Sequence, residues 1–129
     1  MPTYKKLNFA DVKDLAPDYG MSDMGEARFA RSALGSEVIG LTRYTMKPGR
    51  RVGFGHRHPN SEEAYVVLTG SGRFRIGDDV LDVGPQDIVY CPANTMREWE
   101  AGSDGMELLA FGQHTEGEST EMDREFWTD

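Results

Sequence analysis

The chain has 129 residues, with 14 Lys and Arg against 22 Asp and Glu and a formal charge of −8 at pH 7. So acidic a chain is poorly suited to gripping nucleic acid or an anionic membrane, its length suits one domain, and its single cysteine, Cys91, excludes an internal disulfide. Residues 1–8 lead into no apolar stretch and no later run reaches bilayer length, so a cytoplasmic, reducing location without a membrane partner is expected. Taken in chain order, residues 1–25 read as an N-terminal arm, with a short helical turn at 11–15 that Pro17 ends and a loop at 19–25. Residues 38–46 are rich in β-branched and aromatic side chains and end at the Lys47-Pro48-Gly49 turn. Further strands are expected at 63–69, 73–76, 80–83, 87–91, 97–101 and 106–111, separated by turns at 70–72, 77–79, 84–85, 92–94 and 102–105. A last helical turn is expected at 122–127. Short strands with no interleaved helices mean an antiparallel sandwich or barrel.

The charge is uneven. Residues 116–129 hold six acids (Glu116, Glu118, Glu121, Asp123, Glu125, Asp129) and one base, Arg124, so this stretch carries −5 of the −8. Two aromatics at a chain end need a place to dock, so the acidic tail, 114–129, is read as a terminal segment pinned by Phe126 and Trp127. In 38–46 the set Val38, Gly40, Thr42, Tyr44 and Met46 is expected to face inward, leaving Arg43 outside. Apolar residues on both faces of this strand, and of 106–111, suggest that a second subunit covers one outer surface.

Two of the three histidines form His56-Arg57-His58, followed by Pro59-Asn60-Ser61-Glu62-Glu63. Residues two apart on a strand face the same side, so His56 and His58 point together. After a short turn, Glu63 opens the next strand and returns a carboxylate to the same place. Two imidazoles and one carboxylate on a β scaffold suit Fe(II), Mn(II) or Zn(II) and leave positions open for a ligand.

The pattern His56-x-His58-x₄-Glu63-x₆-Gly70 resembles the first conserved motif of the cupin superfamily, and Gly84-Pro85-x-Asp87 followed by Pro92 resembles the second. The resemblance implies an all-β fold, a double-stranded β-helix or jelly-roll barrel with its core at about 38–113, often dimeric. It also implies that His56, His58 and Glu63 are metal ligands; Glu62 lies one position out of register. The family's second motif has a histidine five residues after the proline, where this chain has Arg97. Alternation puts Arg97, Trp99 and Ala101 on the interior face and Glu98 and Glu100 toward solvent.

A guanidinium does not ligate metals and is always protonated, so three readings stay open. A metal binds through His56, His58 and Glu63, and Arg97 grips an anionic substrate beside it. Alternatively Arg97 pairs with Glu63, no metal binds, and the barrel is a ligand-binding module. In the third, His114 replaces the missing ligand. Tyr65 and Trp99 are expected to line the cavity, and Cys91 to be a buried inert thiol. The resemblance implies dioxygenase or isomerase chemistry on a small anionic molecule, with a homodimer as the expected assembly. No phosphate-binding loop and no serine-hydrolase arrangement appears.

Overall fold

The computed structural model describes residues 3–129; the first two residues of the arm lie outside the described residues. Eight strands form the body: β1 (Gly25–Phe29), β2 (Ile39–Met46), β3 (Gly55–Arg57), β4 (Glu63–Ile76), β5 (Asp79–Val83), β6 (Ile88–Cys91), β7 (Arg97–Gln113) and β8 (Glu121–Asp123). One α-helical turn, α1 (Arg31–Leu34), lies between β1 and β2. No helix among the described residues is long and apolar enough to cross a membrane.

The turns expected at 70–72 and 102–105 fall inside strands, and 102–105 has no partner on β4. They are bends inside two long strands, β4 and β7, which pair antiparallel from Glu63↔Gly112 to Ile76↔Arg97 with register shifts near Gly70. Gly70 and Gly105 both have φ of +76°, a region costly to residues with a Cβ. A Cβ on Gly70 would lie 2.1 Å from the Gly105 carbonyl oxygen. The two glycines therefore let both strands bend at the same level, with pairing resumed on either side. The first half of β4 pairs with β6 and the second half with β5, while β7 passes from β3 to β2. Two curled sheets thus share a pair of bent strands, as in a jelly-roll barrel.

The interior follows the two-residue alternation of strands. Tyr65, Val67, Phe74, Val89, Cys91, Trp99, Ala101, Met106, Leu108 and Ala110 are all buried. On β2, Thr42 and Met46 are buried, and Tyr44 meets Trp99 edge-on at 5.0 Å; Arg43 lies on the outer face in an ion pair with Glu107 at 2.6 Å. The N-terminal arm packs on the barrel through Val12, Ala16, Met21 and Met24. Its expected helical turn at 11–15 is instead a 3-10 turn at Phe9–Asp11 followed by a bridge between Asp14 and Arg28. Asp14 accepts the N–H groups of Ala16 and Ala27, so strand pairing to β1 takes the backbone a helix would have used.

Glu98 corrects the expected solvent face of β7. It is 2% exposed and accepts the Gly53 N–H at 3.0 Å. Burial pushes its carboxyl up, opposed by that N–H and by Arg51 and Arg75. The outward side of β7 is roofed by the 50–53 stretch and the C-terminal segment, which alternation within one strand cannot reveal. Glu100, two residues on, sits between Arg51 and Arg73 at 2.6 and 2.8 Å.

The acidic C-terminal segment forms β8, not the expected helical turn, because its backbone completes a ladder with Gly55–Arg57 of β3. Trp127 is buried under Arg51, 4.2 Å from its ring centroid, and Arg73, at 5.2 Å. Arg51 also donates to the carbonyls of Trp127 and Asp129, and Arg75 to that of Phe126. Gly55 is required here, since a Cβ would lie 2.6 Å from the Phe126 ring. The segment is a strap held by one aromatic anchor and four arginines, Arg51, Arg73 and Arg75 at its end and Arg57 on Glu121. Trp127→Ala is expected to cost about 3 kcal/mol in urea unfolding; a loss below about 0.5 kcal/mol, the scale of ordinary surface changes, would show that the anchor does not hold the strap.

Candidate metal centre

β3 lies between β7 and β8, with His56 opposite Arg97 on one side and Met122 on the other. Its alternation sends His56 inward and Arg57 outward to an ion pair with Glu121. His58 follows the end of β3, and its carbonyl accepts the Asn94 N–H at 2.7 Å. Asn94 adopts φ of +63° to form that turn, a conformation asparagine tolerates better than most residues. Glu63 then starts β4.

These positions bring His56, His58 and Glu63 together, with one ligand atom from each inside a 4.8 Å span. His56 Nε2 is 3.8 Å and His58 Nε2 3.6 Å from Glu63 Oε1. Donors around a tetrahedral ion with bonds of about 2.1 Å would stand about 3.4 Å apart. The two imidazole–carboxylate distances are within a few tenths of an ångström of that value, and the donor types suit a divalent metal.

Arg97 lies directly beneath. Its Nη2 donates to Glu63 Oε1 at 2.7 Å, its Nε to the Tyr65 hydroxyl at 2.9 Å and its Nη1 to the Thr95 carbonyl at 2.9 Å. The Tyr65 hydroxyl in turn donates to the same Glu63 oxygen. Among the described residues Glu63 Oε2 makes no hydrogen bond, so that oxygen is left for another partner. Burial pushes the Glu63 carboxyl up, but His56, His58, Tyr65 and Arg97 together hold it well below the usual carboxylate range. Burial lowers His56, reinforced by the Arg97 charge and opposed by Glu63. Both effects favour a neutral imidazole, the form that ligates metal. Burial and the Glu63 charge raise Tyr65, which stays a hydrogen-bond donor.

Above the triad opens a cavity of about 710 Å³. His56, His58 and Glu63 are on its surface, with Tyr44, Phe54 and Met21 among the apolar walls and Arg31 and Arg124 among the lining cations. Arg97, Tyr65 and Trp99 are not part of that lining; they are at most 1% exposed and form the layer beneath it. Trp99 touches His56, Tyr65 and Phe74 at ring separations of 5.8, 4.9 and 5.5 Å. A long side chain at an inward position of a narrow barrel is covered by the residues of the next layer, here the two imidazoles. His114 is on the cavity wall but outside the ligand cluster. Glu62 is also outside it, accepting from the Tyr90 hydroxyl at 2.8 Å. Cys91 is buried, and burial pushes its thiol up.

Sequence reasoning missed the strap's share of the site. Thr115, Glu118 and Thr120 line the cavity, and Thr120 Oγ1 is 3.2 Å from His58 Nδ1. The signal that bears on them is the aromatic pair Phe126 and Trp127, which implies docking without saying where.

The family model of the cupin domain matches residues 42–111. A 62-residue stretch is 36% identical to 5-nitrosalicylic acid 1,2-dioxygenase of a Bradyrhizobium species, covering 48% of this chain and 29% of that enzyme. Among solved structures, oxalate decarboxylase from Bacillus subtilis aligns with a TM-score of 0.74 at 25% identity, over 94% of this chain and 33% of that one. A cupin-superfamily sugar phosphate isomerase from Silicibacter pomeroyi aligns with a TM-score of 0.75 at 17% identity, over 90% of this chain and 80% of that one, a likeness of fold. The chain spans about a third of the dioxygenase and of the decarboxylase it matches. With the family model matched over more than half its length, and the barrel and its His-His-Glu cluster where that model lies, the chain belongs to the cupins.

Proposed function

We propose that the protein is a metal-dependent cupin enzyme acting on a small anionic organic molecule, with His56, His58 and Glu63 holding a divalent ion of Fe, Mn or Zn. The observation that carries this is the convergence of those three donors on the floor of an open cavity. Charge supports it. The cavity and the layer beneath it set Arg31, Arg124 and Arg97 against Glu62, Glu63 and Glu118. Three guanidiniums balance three carboxylates, so a bound divalent ion leaves two positive charges in an otherwise acidic protein. An anion is the ligand such a site favours. When bound, the ion would polarise or activate a ligand in its open positions. Dioxygenase and isomerase chemistry are the two classes we carry forward, the first in line with the aromatic-acid dioxygenase matched above.

In this reading Arg97 compensates Glu63 from below, and the anion is met by Arg31 and Arg124, the cations that reach the cavity surface. The second reading, a metal-free ligand-binding cupin, is favoured by the 2.7 Å contact of Arg97 with Glu63, which engages the carboxylate without a metal. Elemental mass spectrometry of untagged protein purified without chelator separates the two. A stoichiometric divalent metal that disappears in His56→Ala supports the enzyme; no metal in either protein, and none taken up from added iron, manganese or zinc, leaves the binding module.

The Glu63–Arg97 pair also predicts how stability depends on pH. In the wild type the folded Glu63 carboxyl titrates below its unfolded value, so its contribution is present above that value and is lost as pH falls. Arg97→Met leaves a buried carboxylate without its countercharge, a change worth about 3–5 kcal/mol near neutral pH. His56, His58 and Tyr65 still lower Glu63 in the variant, so its folded value moves up toward the unfolded one and the wild-type advantage from this group should fade only as pH drops below the unfolded value. Urea unfolding at pH 7 and pH 3 tests this: the loss should shrink at pH 3. A loss that is the same at both pH values would mean that the pair is not what Arg97 contributes.

We also propose a homodimer through the outer face of the sheet β6-β4-β7-β2. Tyr90, Ala64, Phe111 and Leu41 stand in one row across it, and Ile88, Val66 and Leu109 in the next. Ile88, Tyr90 and Phe111 are 69%, 55% and 44% exposed, an apolar surface that monomers rarely leave open. Light scattering should give a dimer for the wild type and a monomer for Phe111→Glu; a monomeric wild type at micromolar concentration would remove the proposal.

A further inference from the structure

His58 is held from two sides. Its Nε2 faces Glu63, while its Nδ1 faces the C-terminal strap, 3.2 Å from Thr120 Oγ1 and 3.8 Å from Glu118 Oε1. Glu118 belongs to a segment that is largely exposed, yet its side chain is only 7% exposed. Its two oxygens are fixed separately. Oε1 accepts from the Ser61 hydroxyl at 2.9 Å and Oε2 from the Asn60 N–H at 2.6 Å. Ser61 is braced in turn by Thr115, also on the strap, at 2.6 Å. The carboxylate is therefore locked to the turn that carries His58, in a fixed relation to its ring. Among the described residues no Lys or Arg pairs with Glu118, and the nearest basic group is the His58 imidazole.

We propose that Glu118 is a positioning residue for His58. With the Thr120 hydroxyl, its charge favours the proton on Nδ1 and so leaves Nε2 free as a donor toward the metal. The inference rests on the metal reading above and adds to it: the site is complete only when the C-terminal strap is docked. The physical ground is that an imidazole bound through one nitrogen to a cation becomes a stronger donor at the other, and a nearby carboxylate rewards that polarisation. Partners of this kind typically change metal affinity by 10–100-fold. His56 supplies the contrast. Its Nδ1 is buried and has no hydrogen-bond partner, so His58 is the imidazole whose orientation the chain sets from outside.

The test is a cobalt(II) titration of the full chain, followed by visible absorption and calorimetry, on wild type, Glu118→Gln, Glu118→Asp and His58→Ala. Glutamine keeps the shape and a carbonyl acceptor but not the charge. Glu118→Gln should weaken cobalt binding by roughly tenfold or more and alter the ligand-field spectrum, with the metal-free melting temperature close to wild type. Glu118→Asp, which keeps the charge, should recover part of the loss. Wild-type affinity and spectrum in Glu118→Gln, with binding lost in His58→Ala, would overturn the positioning role and leave the metal reading standing. Equal losses in Glu118→Gln and Glu118→Asp would also overturn it, since keeping the charge would then recover nothing. A wild type that takes up no cobalt would remove both.

Discussion

A carboxylate at the bottom of a cavity must find compensation or become neutral. Glu63 finds it in the Arg97 guanidinium and the Tyr65 hydroxyl, both fully buried and both aimed at one of its oxygens. This contact ties β4 to β7 across the barrel where the strand ladder ends, at Ile76↔Arg97 and Glu63↔Gly112. It also keeps the second carboxylate oxygen available and both imidazoles close by. The aromatic layer of Tyr65, Phe74 and Trp99 excludes water beneath it, which strengthens the pair and makes its loss costly.

The same arrangement divides the labour among the arginines. Arg97 has every nitrogen of its fork engaged within the protein, on Tyr65, Thr95 and Glu63. Arg51, Arg73 and Arg75 hold the strap from outside the barrel. Arg31 and Arg124 are the cations on the cavity surface. Position in the fold, rather than residue type, sorts these six side chains into a buried counterion, a clamp and a cavity-facing rim.

The strap shows how an acidic terminus gains a use. Its charge is unfavourable in an already acidic chain, yet Glu121 and the terminal carbonyls are met by arginines placed on β3, β4 and the 50–53 stretch. Docking this segment as β8 covers the outer edge of β3, which would otherwise present unpaired backbone groups. The covered strand carries His56 and leads directly into His58. Fold stability and the surroundings of His58 therefore depend on the same contacts.

Much of this was legible in the residues themselves. Strand alternation placed His56 with His58, Arg97 with Trp99, and Thr42 with Tyr44 and Met46, because the pleat has a period of two whatever surrounds it. The spacing from His56 to Glu63 brought three donors together because a turn as short as 59–61 leaves the chain little freedom. Glu98 shows where local reasoning stops: its face was right, but a second layer covers that face. The glycines at 70 and 105 read as turns because a left-handed φ marks both turns and bends, and only pairing between distant strands distinguishes them. Which side chains share a face is a property of a strand, so the sequence by itself determined it. Depth in the barrel, the path of the strap and the reach of Glu118 to His58 are contacts between segments dozens of residues apart, and only the closed tertiary structure decided those.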